Sequence, residues 1–186
     1  MTERKSDRTK SAIRTAARQV FASVGYERAT IRDIAGVANI DPAMVMRYFG
    51  SKDGLFADTA NFDLDLPTDL GDAPDRAGER MAAHFIAVWE QDDSGFAVLL
   101  RSAASNPVAA ARIAAVLSEQ LLPAVVALVG PGEAPQRAGL IASQVLGLAL
   151  TRYVLSLGPV AAMSREQIIA SIGPTLQRYL YGPLTP

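Results

Sequence analysis

The sequence predicts an all-α chain of about nine helices. Apolar residues recur at i, i+3, i+4 and i+7 along most of it, the period of a helix with one buried face. No stretch sustains the period-two alternation of a half-buried strand. Glycines, prolines and small polar residues stand where helices start and stop.

The first helix covers about Asp7–Val24, with Ile13, Ala16, Ala17, Val20, Phe21 and Val24 on its buried face. Gly25 ends it, because glycine tolerates the left-handed backbone that follows a helix. Thr30 caps a short second helix, Ile31–Val37, with Asp33 as an acid in its first turn. Ile34, Val37 and Ala38 are expected to face the core. Asn39 also tolerates the left-handed conformation and turns the chain. Asp41 caps a third helix that opens on Pro42, where a missing N–H costs nothing, and runs to about Phe49. Val45 and Phe49 point inward from it. Ser51 caps a fourth helix, expected to reach about Asp63. Leu64–Pro74, rich in proline and aspartate, reads as a loop. Longer helices follow at about 74–91, 95–104, 107–129, 134–157 and 165–181. Asn106-Pro107 opens one of them. Gly130-Pro131-Gly132 and Gly158-Pro159 read as turns, and Ser164 with Gln167 forms a capping box. Pro123 and Gly173-Pro174 are expected to kink their helices.

The 186 residues suffice to bury a core without staples. The chain has no cysteine, which excludes disulfides, thiolate metal sites and cysteine nucleophiles. Its one histidine, His84, excludes sites that need two. The start, MTERKSDRTK, lacks the apolar core of a signal peptide. The longest charge-free apolar stretch, around Ala138–Thr151, is too short to span a bilayer. A cytoplasmic protein without a membrane partner is expected. Charge is uneven. Residues 1–52 hold ten basic residues against five acids, and the remainder holds eight against fourteen. A basic head on an acidic body suits a polyanionic partner, although clustering of solvated charges gives the same count.

Thr30–Leu55 reads TIRDIAGVANIDPAMVMRYFGSKDGL: two short helices separated by a turn, which is helix-turn-helix spacing. At 100° per residue, the side of the third helix opposite Val45 and Phe49 carries Ala43 and Arg47, flanked by Met44 and Met46. That side is small, long or basic and carries no acid after the cap. Such a face can enter the major groove of DNA. A structural helical hairpin is the alternative.

In this region the chain resembles the TetR-type transcriptional repressors. Ile34-Ala35, Ala38, Ile40, Val45, Arg47-Tyr48-Phe49, Ser51-Lys52 and Leu55 stand in the register of that family's motif. Ala16-Ala17, Phe21, Gly25-Tyr26 and Thr30 match upstream, so the likeness covers about the first 60 residues. It implies a DNA-binding domain at 1–50 and a helical ligand-binding and dimerisation domain at 51–186. It also implies roles. Thr30 would meet a phosphate, and Arg32 would point at the groove, where a bidentate contact to guanine is the strongest readout. Pro42, Ala43 and Met44 would open the reading helix, and Arg47 would meet a base or a phosphate. Tyr48 and Lys52 would each hold a phosphate. Arg4, Lys5, Arg8 and Lys10 would follow the backbone or a minor groove, unless they form a merely solubilising tail. Two positions depart from the family. Asn39 replaces a glycine at the turn, and Met46 replaces a tyrosine that touches a phosphate.

The same likeness gives the body two tasks. For pairing into a homodimer, the last two helices offer small residues such as Gly139, Ala142, Ser143 and Gly147. They also offer an apolar stripe of Ile168, Ile169, Ile172, Leu176, Tyr179 and Leu180. Intramolecular core is the alternative for that stripe. For sensing, His84, Phe85, Trp89, Phe96, Gln144 and Tyr153 are the candidates to line a pocket for a small, mainly apolar effector, with core packing as the alternative. No G-x-S-x-G, P-loop or G-x-G-x-x-G is present, and Asp92-Asp93 fits a helix-flanking loop better than acid–base work. No enzyme activity, cofactor or metal is expected. The expected function is a repressor that binds a palindromic DNA operator as a homodimer under effector control. A helical interaction module whose hairpin no longer reads DNA is the other reading.

Overall fold

The computed structural model describes residues 2–59, 63–67, 70–90 and 96–184, with the backbone alone at 2–5. Among them every regular element is helical. The chain divides into two compact units: Met1–Phe62 with Gly95–Ile113, and Asp63–Ser94 with Ala114–Pro186. Asp92-Asp93 and the side chains of Arg4 and Lys5 lie outside the described residues.

The first unit contains α1 (Thr2–Arg28), α2 (Ile31–Ala38), α3 (Pro42–Phe49), α4 (Lys52–Thr59) and α6 (Phe96–Ser102). Gly25 breaks α1 with φ 78° and ψ 164°, a backbone that a side chain would strain, and one further turn follows it. Ile13, Ala17, Phe21, Ile34, Val45, Leu55 and Phe56 close the core. Two expectations about burial are corrected. Val37 is 54% exposed and Val24 37%. Val24 immediately precedes the Gly25 break. Val37, on the last turn of an eight-residue helix, borders an open groove of about 450 Å³ along Arg8, Ser11, Thr15 and Gln19 of α1. Phe49 is only half-buried, with the Arg14 guanidinium 5.8 Å from its ring centre. Asp63 is not helical, so α4 stops short of its expected end; the Asp63 carboxylate instead accepts the Asp65 N–H at 3.0 Å. Helix α6 joins this unit because it packs on α1, where Arg101 donates to the Ala22 carbonyl at 3.4 Å.

The second unit contains α5 (Ala77–Trp89), α8 (Leu122–Val129), α9 (Ala134–Ala149), α10 (Gly158–Ala161) and α11 (Arg165–Tyr181); α7 (Pro107–Val116) begins in the first unit and ends in this one. Its dominant pairing is α5 against α11. The two backbones approach at Gly78 and Gly173, where a Cβ built on Gly78 would lie 2.3 Å from the Gly173 carbonyl oxygen. Gln177 spans this crossing: its Oε1 accepts the Gly78 N–H at 2.8 Å, and its Nε2 donates to the Pro74 carbonyl at 2.8 Å. Arg137 of α9 is buried and donates to the carbonyls of Tyr179 and Gly182 at 2.8 and 3.1 Å, closing the end of α11.

The long helices are interrupted. A π-helical turn at Leu117–Leu121 separates α7 from α8 and stands just before Pro123, whose ring cannot supply an amide hydrogen. A second, Leu150–Val154, follows α9. Gly173 and Pro174 both lie inside α11, which is helical from Arg165 to Tyr181. Where Gly158-Pro159 predicts a turn, the chain forms α10. Arg152 stabilises this short helix by donating to the carbonyls of Val160, Ala161 and Met163 at 2.7, 3.2 and 2.9 Å. The run Pro107–Val129 is 23 residues long and holds an 18-residue window of mean hydropathy 1.7, enough to cross a membrane by length and composition. Arg112 and Glu119 interrupt it, so it is not a charge-free stretch.

Candidate nucleic-acid interface

The two short helices are held by caps written into their own sequence. Thr30 Oγ1 accepts the Asp33 N–H at 3.1 Å, and the Asp33 carboxylate accepts the Thr30 N–H at 3.0 Å and its hydroxyl at 2.6 Å. This reciprocal box fixes the start of α2. Asn39 adopts φ 53°, ψ 48°, and the Ile40 N–H donates to the Ala35 carbonyl at 3.0 Å, so the left-handed turn forms without glycine. Asp41 then accepts the Ala43 N–H at 2.7 Å, with Pro42 in the first turn of α3.

Val45 is fully buried and aims the rest of α3 outward. Pro42, Ala43, Met46 and Arg47 are exposed, and Met44 and Tyr48 are half-buried. Arg32 is exposed in the first turn of α2. Neither Arg32 nor Arg47 has an ion pair among the described residues. The neighbouring acids Asp33 and Asp41 are engaged in caps. Lys10 lies 5.7 Å from the centre of the Tyr48 ring, adding a cation beside this face.

Two candidate residues are occupied internally. The Thr30 hydroxyl hydrogen goes to Asp33, so the donors left at the start of α2 are the N–H groups of Ile31 and Arg32. The Lys52 ammonium donates to the carbonyls of Ala29 and Glu27 at 3.0 and 3.4 Å and sits 4.2 Å from the centre of the Tyr26 ring. Those carbonyls follow the Gly25 break and lack a continuing helix to bond them, so a cation there is favourable. Lys52→Met is expected to destabilise the fold by roughly 1–2 kcal/mol through lost charged hydrogen bonds and cation–π attraction. The salt dependence of DNA binding should stay unchanged. Thermal melting and a salt titration check both; a salt slope reduced by about one per site would instead place Lys52 on a phosphate.

Asp53, Arg14 and Asp58 are structural residues of this unit that the motif does not single out, and Tyr26 of the motif is held by one of them. Tyr26 donates to the Asp53 carboxylate and packs against Phe21 and Phe56, with ring centres 5.8 and 4.7 Å away. Burial, then the Asp53 carboxylate, pushes its phenol up to about 12. The raised value means the neutral phenol is favoured by folding. Its contribution is therefore complete below pH ~10, the unfolded value, and is lost as pH rises through about 12. Thermal melting across this range should show a decline that Tyr26→Phe removes. Arg14 bonds both oxygens of Asp58, at 2.5 and 3.1 Å, and ties α1 to α4. The gap between Gly25-Tyr26 and Lys52-Asp53 hides the Tyr26 contact in the sequence.

The other candidates fall in separate places. His84, Phe85, Trp89, Gln144 and Tyr153 belong to the second unit, whereas Phe96 is buried in the first. The His84 Nε2–H donates to the Leu64 carbonyl at 2.6 Å and pins the preceding loop. Phe85 and Trp89 are buried with ring centres 5.9 Å apart; Trp89 meets Tyr153 edge-on at 6.0 Å. Tyr153 donates to Glu90 at 3.2 Å, and Glu90 also takes Arg165 at 2.6 Å, which holds its carboxyl below the usual range. Gln144 is half-buried. Of the residues expected to pair copies, Ile168 and Leu176 are closed inside the chain, at 1% and 0% exposure. They are core and leave no surface for a partner, which corrects that expectation. Gly147 is exposed, and Ile172 and Tyr179 are half-buried. Leu150, Leu155, Leu157 and Tyr181 are exposed apolar residues of the same unit that the periodicity did not distinguish.

Residues 13–59 match the model of bacterial regulatory proteins of the tetR family, and residues 75–180 match the tetracyclin repressor-like C-terminal domain. None of the curated proteins matches the chain. A TetR-family regulator from Streptomyces coelicolor A3 is 28% identical, with a TM-score of 0.57 over 94% of this chain and 95% of its own. A transcriptional regulator from Rhodococcus sp. Rha1 shares the fold at 23% identity, with a TM-score of 0.65 over 95% of this chain and 99% of its own.

Proposed function

The chain belongs to the TetR family of transcriptional regulators, and from that premise we propose that it is a repressor that binds a palindromic operator as a homodimer. The observation that carries this reading is the pair of exposed arginines, Arg32 and Arg47, without ion pairs among the described residues and on two capped helices whose acids are spent internally. Residues 1–50 form the DNA-reading part and 51–186 the sensing and pairing part. Arg32 reads a base edge in the major groove. Arg47, Tyr48 and the free N–H groups at the start of α2 hold phosphates, and Pro42, Ala43 and Met44 touch sugar edges and thymine methyl groups. Thr30 supports this end through its cap.

Gly147, Ile172 and Tyr179, with exposed Leu150 and Tyr181, supply the face that pairs two copies. A small, mainly apolar effector acts on the second unit at the aromatic row of Phe85, Trp89 and Tyr153, beside His84 and Gln144. The test is binding to a random-sequence duplex over rising salt. The logarithm of affinity should fall linearly with the logarithm of salt, by about 0.9 for each phosphate held. Absence of binding at low salt would leave the chain as a helical interaction module.

A further inference from the structure

The candidate reading helix carries an exposed thioether. Met46 is 44% exposed, whereas Met81 is fully buried and Met44 and Met163 are half-buried. Met46 is therefore the most exposed methionine among the described residues. Its position between Val45 and Arg47 places it at the edge of the face that carries Ala43 and Arg47. The chain has no cysteine to consume an oxidant first. A thioether reacts according to its exposure, and the product is strongly polar.

We propose that Met46 is a peroxide-sensitive modification site whose oxidation releases the protein from DNA. This inference rests on the DNA-binding reading of α3. A sulfur lone pair attacks one peroxide oxygen; the S–O bond forms as the O–O bond breaks, and the departing hydroxide takes a proton to become water. The thioether loses two electrons to give the sulfoxide, and the peroxide is reduced. On the DNA-facing surface the sulfoxide oxygen adds an acceptor whose hydration must be stripped as the helix docks, and the phosphates, themselves acceptors, give it no hydrogen bond in return. Methionine sulfoxide reductase reverses the change.

The experiment treats the full chain with hydrogen peroxide and maps added oxygen by peptide mass spectrometry. Binding to a random-sequence duplex at low salt is measured before and after. Met46 should gain oxygen ahead of Met44, Met81 and Met163, and bound duplex should slow its oxidation without slowing that of Met163. Affinity should fall about tenfold or more and return after reductase treatment. Met46→Leu should bind equally before and after peroxide, whatever its starting affinity. Oxidised wild type that binds as tightly as untreated protein would overturn the proposal, as would an equal loss in Met46→Leu. Untreated protein that binds no duplex would overturn the DNA-binding reading and this proposal together.

Discussion

Gly78→Ala should produce the largest loss of stability of any single methyl addition considered, about 3 kcal/mol. The new Cβ would stand 2.3 Å from the Gly173 oxygen, 2.4 Å from the Gln177 nitrogen and 2.7 Å from the Gln177 Cα. All three are backbone atoms of α11, so no rotamer change relieves the overlap. The helices must separate, and separation also pulls the Gly78 N–H from the Gln177 Oε1. For a chain of this size the melting temperature should drop by roughly 6–12 °C. Gly36→Ala is the control. Gly36 is an exposed residue of α2, and the space that its added methyl group would occupy is open. There alanine should be neutral or stabilise by up to about 1 kcal/mol, because it lowers the entropy cost of the helix. Equal melting of Gly78→Ala and wild type would mean that α5 and α11 do not cross as closely as described.

Arg32→Ala should remove the strongest base discrimination. Arg32 is exposed, its neighbouring acid Asp33 is locked to Thr30, and no carboxylate among the described residues neutralises it. A guanidinium set against guanine by two hydrogen bonds is worth roughly 1–3 kcal/mol of discrimination. The preference at one symmetric pair of operator positions should therefore relax more than affinity for unrelated DNA falls. Arg32→Lys should recover the charge and the general affinity but not the two-pronged contact. Competition binding with single-base operator variants measures the difference. A uniform loss at all positions would make Arg32 a phosphate contact.

The DNA-reading unit is legible in the sequence because its determinants are local. Thr30 with Asp33, Asn39, and Asp41 with Pro42 each act within a few residues, and each cap forms as its residue type requires. What the sequence could not show depends on partners far along the chain. The direction of Lys52 is decided by carbonyls freed at Gly25, and the exposure of Val37 by where α1 runs. The inclusion of α6 in the first unit rests on contacts with α1. In the body, helical periodicity identifies apolar faces without saying which neighbour covers them. That is why Ile168 and Leu176, expected at a pairing face, lie in the core of a unit where α11 packs on α5. The α10 helix depends on Arg152, several residues upstream, and a turn signal at Gly158-Pro159 carries no trace of it.

In the proposed function two copies of this chain read DNA symmetrically through α2 and α3. Selection of bound sequences from a random duplex pool tests it most directly. The selected sequences should form an inverted repeat whose half-site centres lie about one helical turn or a small multiple apart, ~34–36 Å per turn. Each half should hold a guanine that loses its preference with Arg32→Ala, flanked by positions that favour thymine. Selection of a consensus without inverted symmetry, or of no consensus at all, would contradict it.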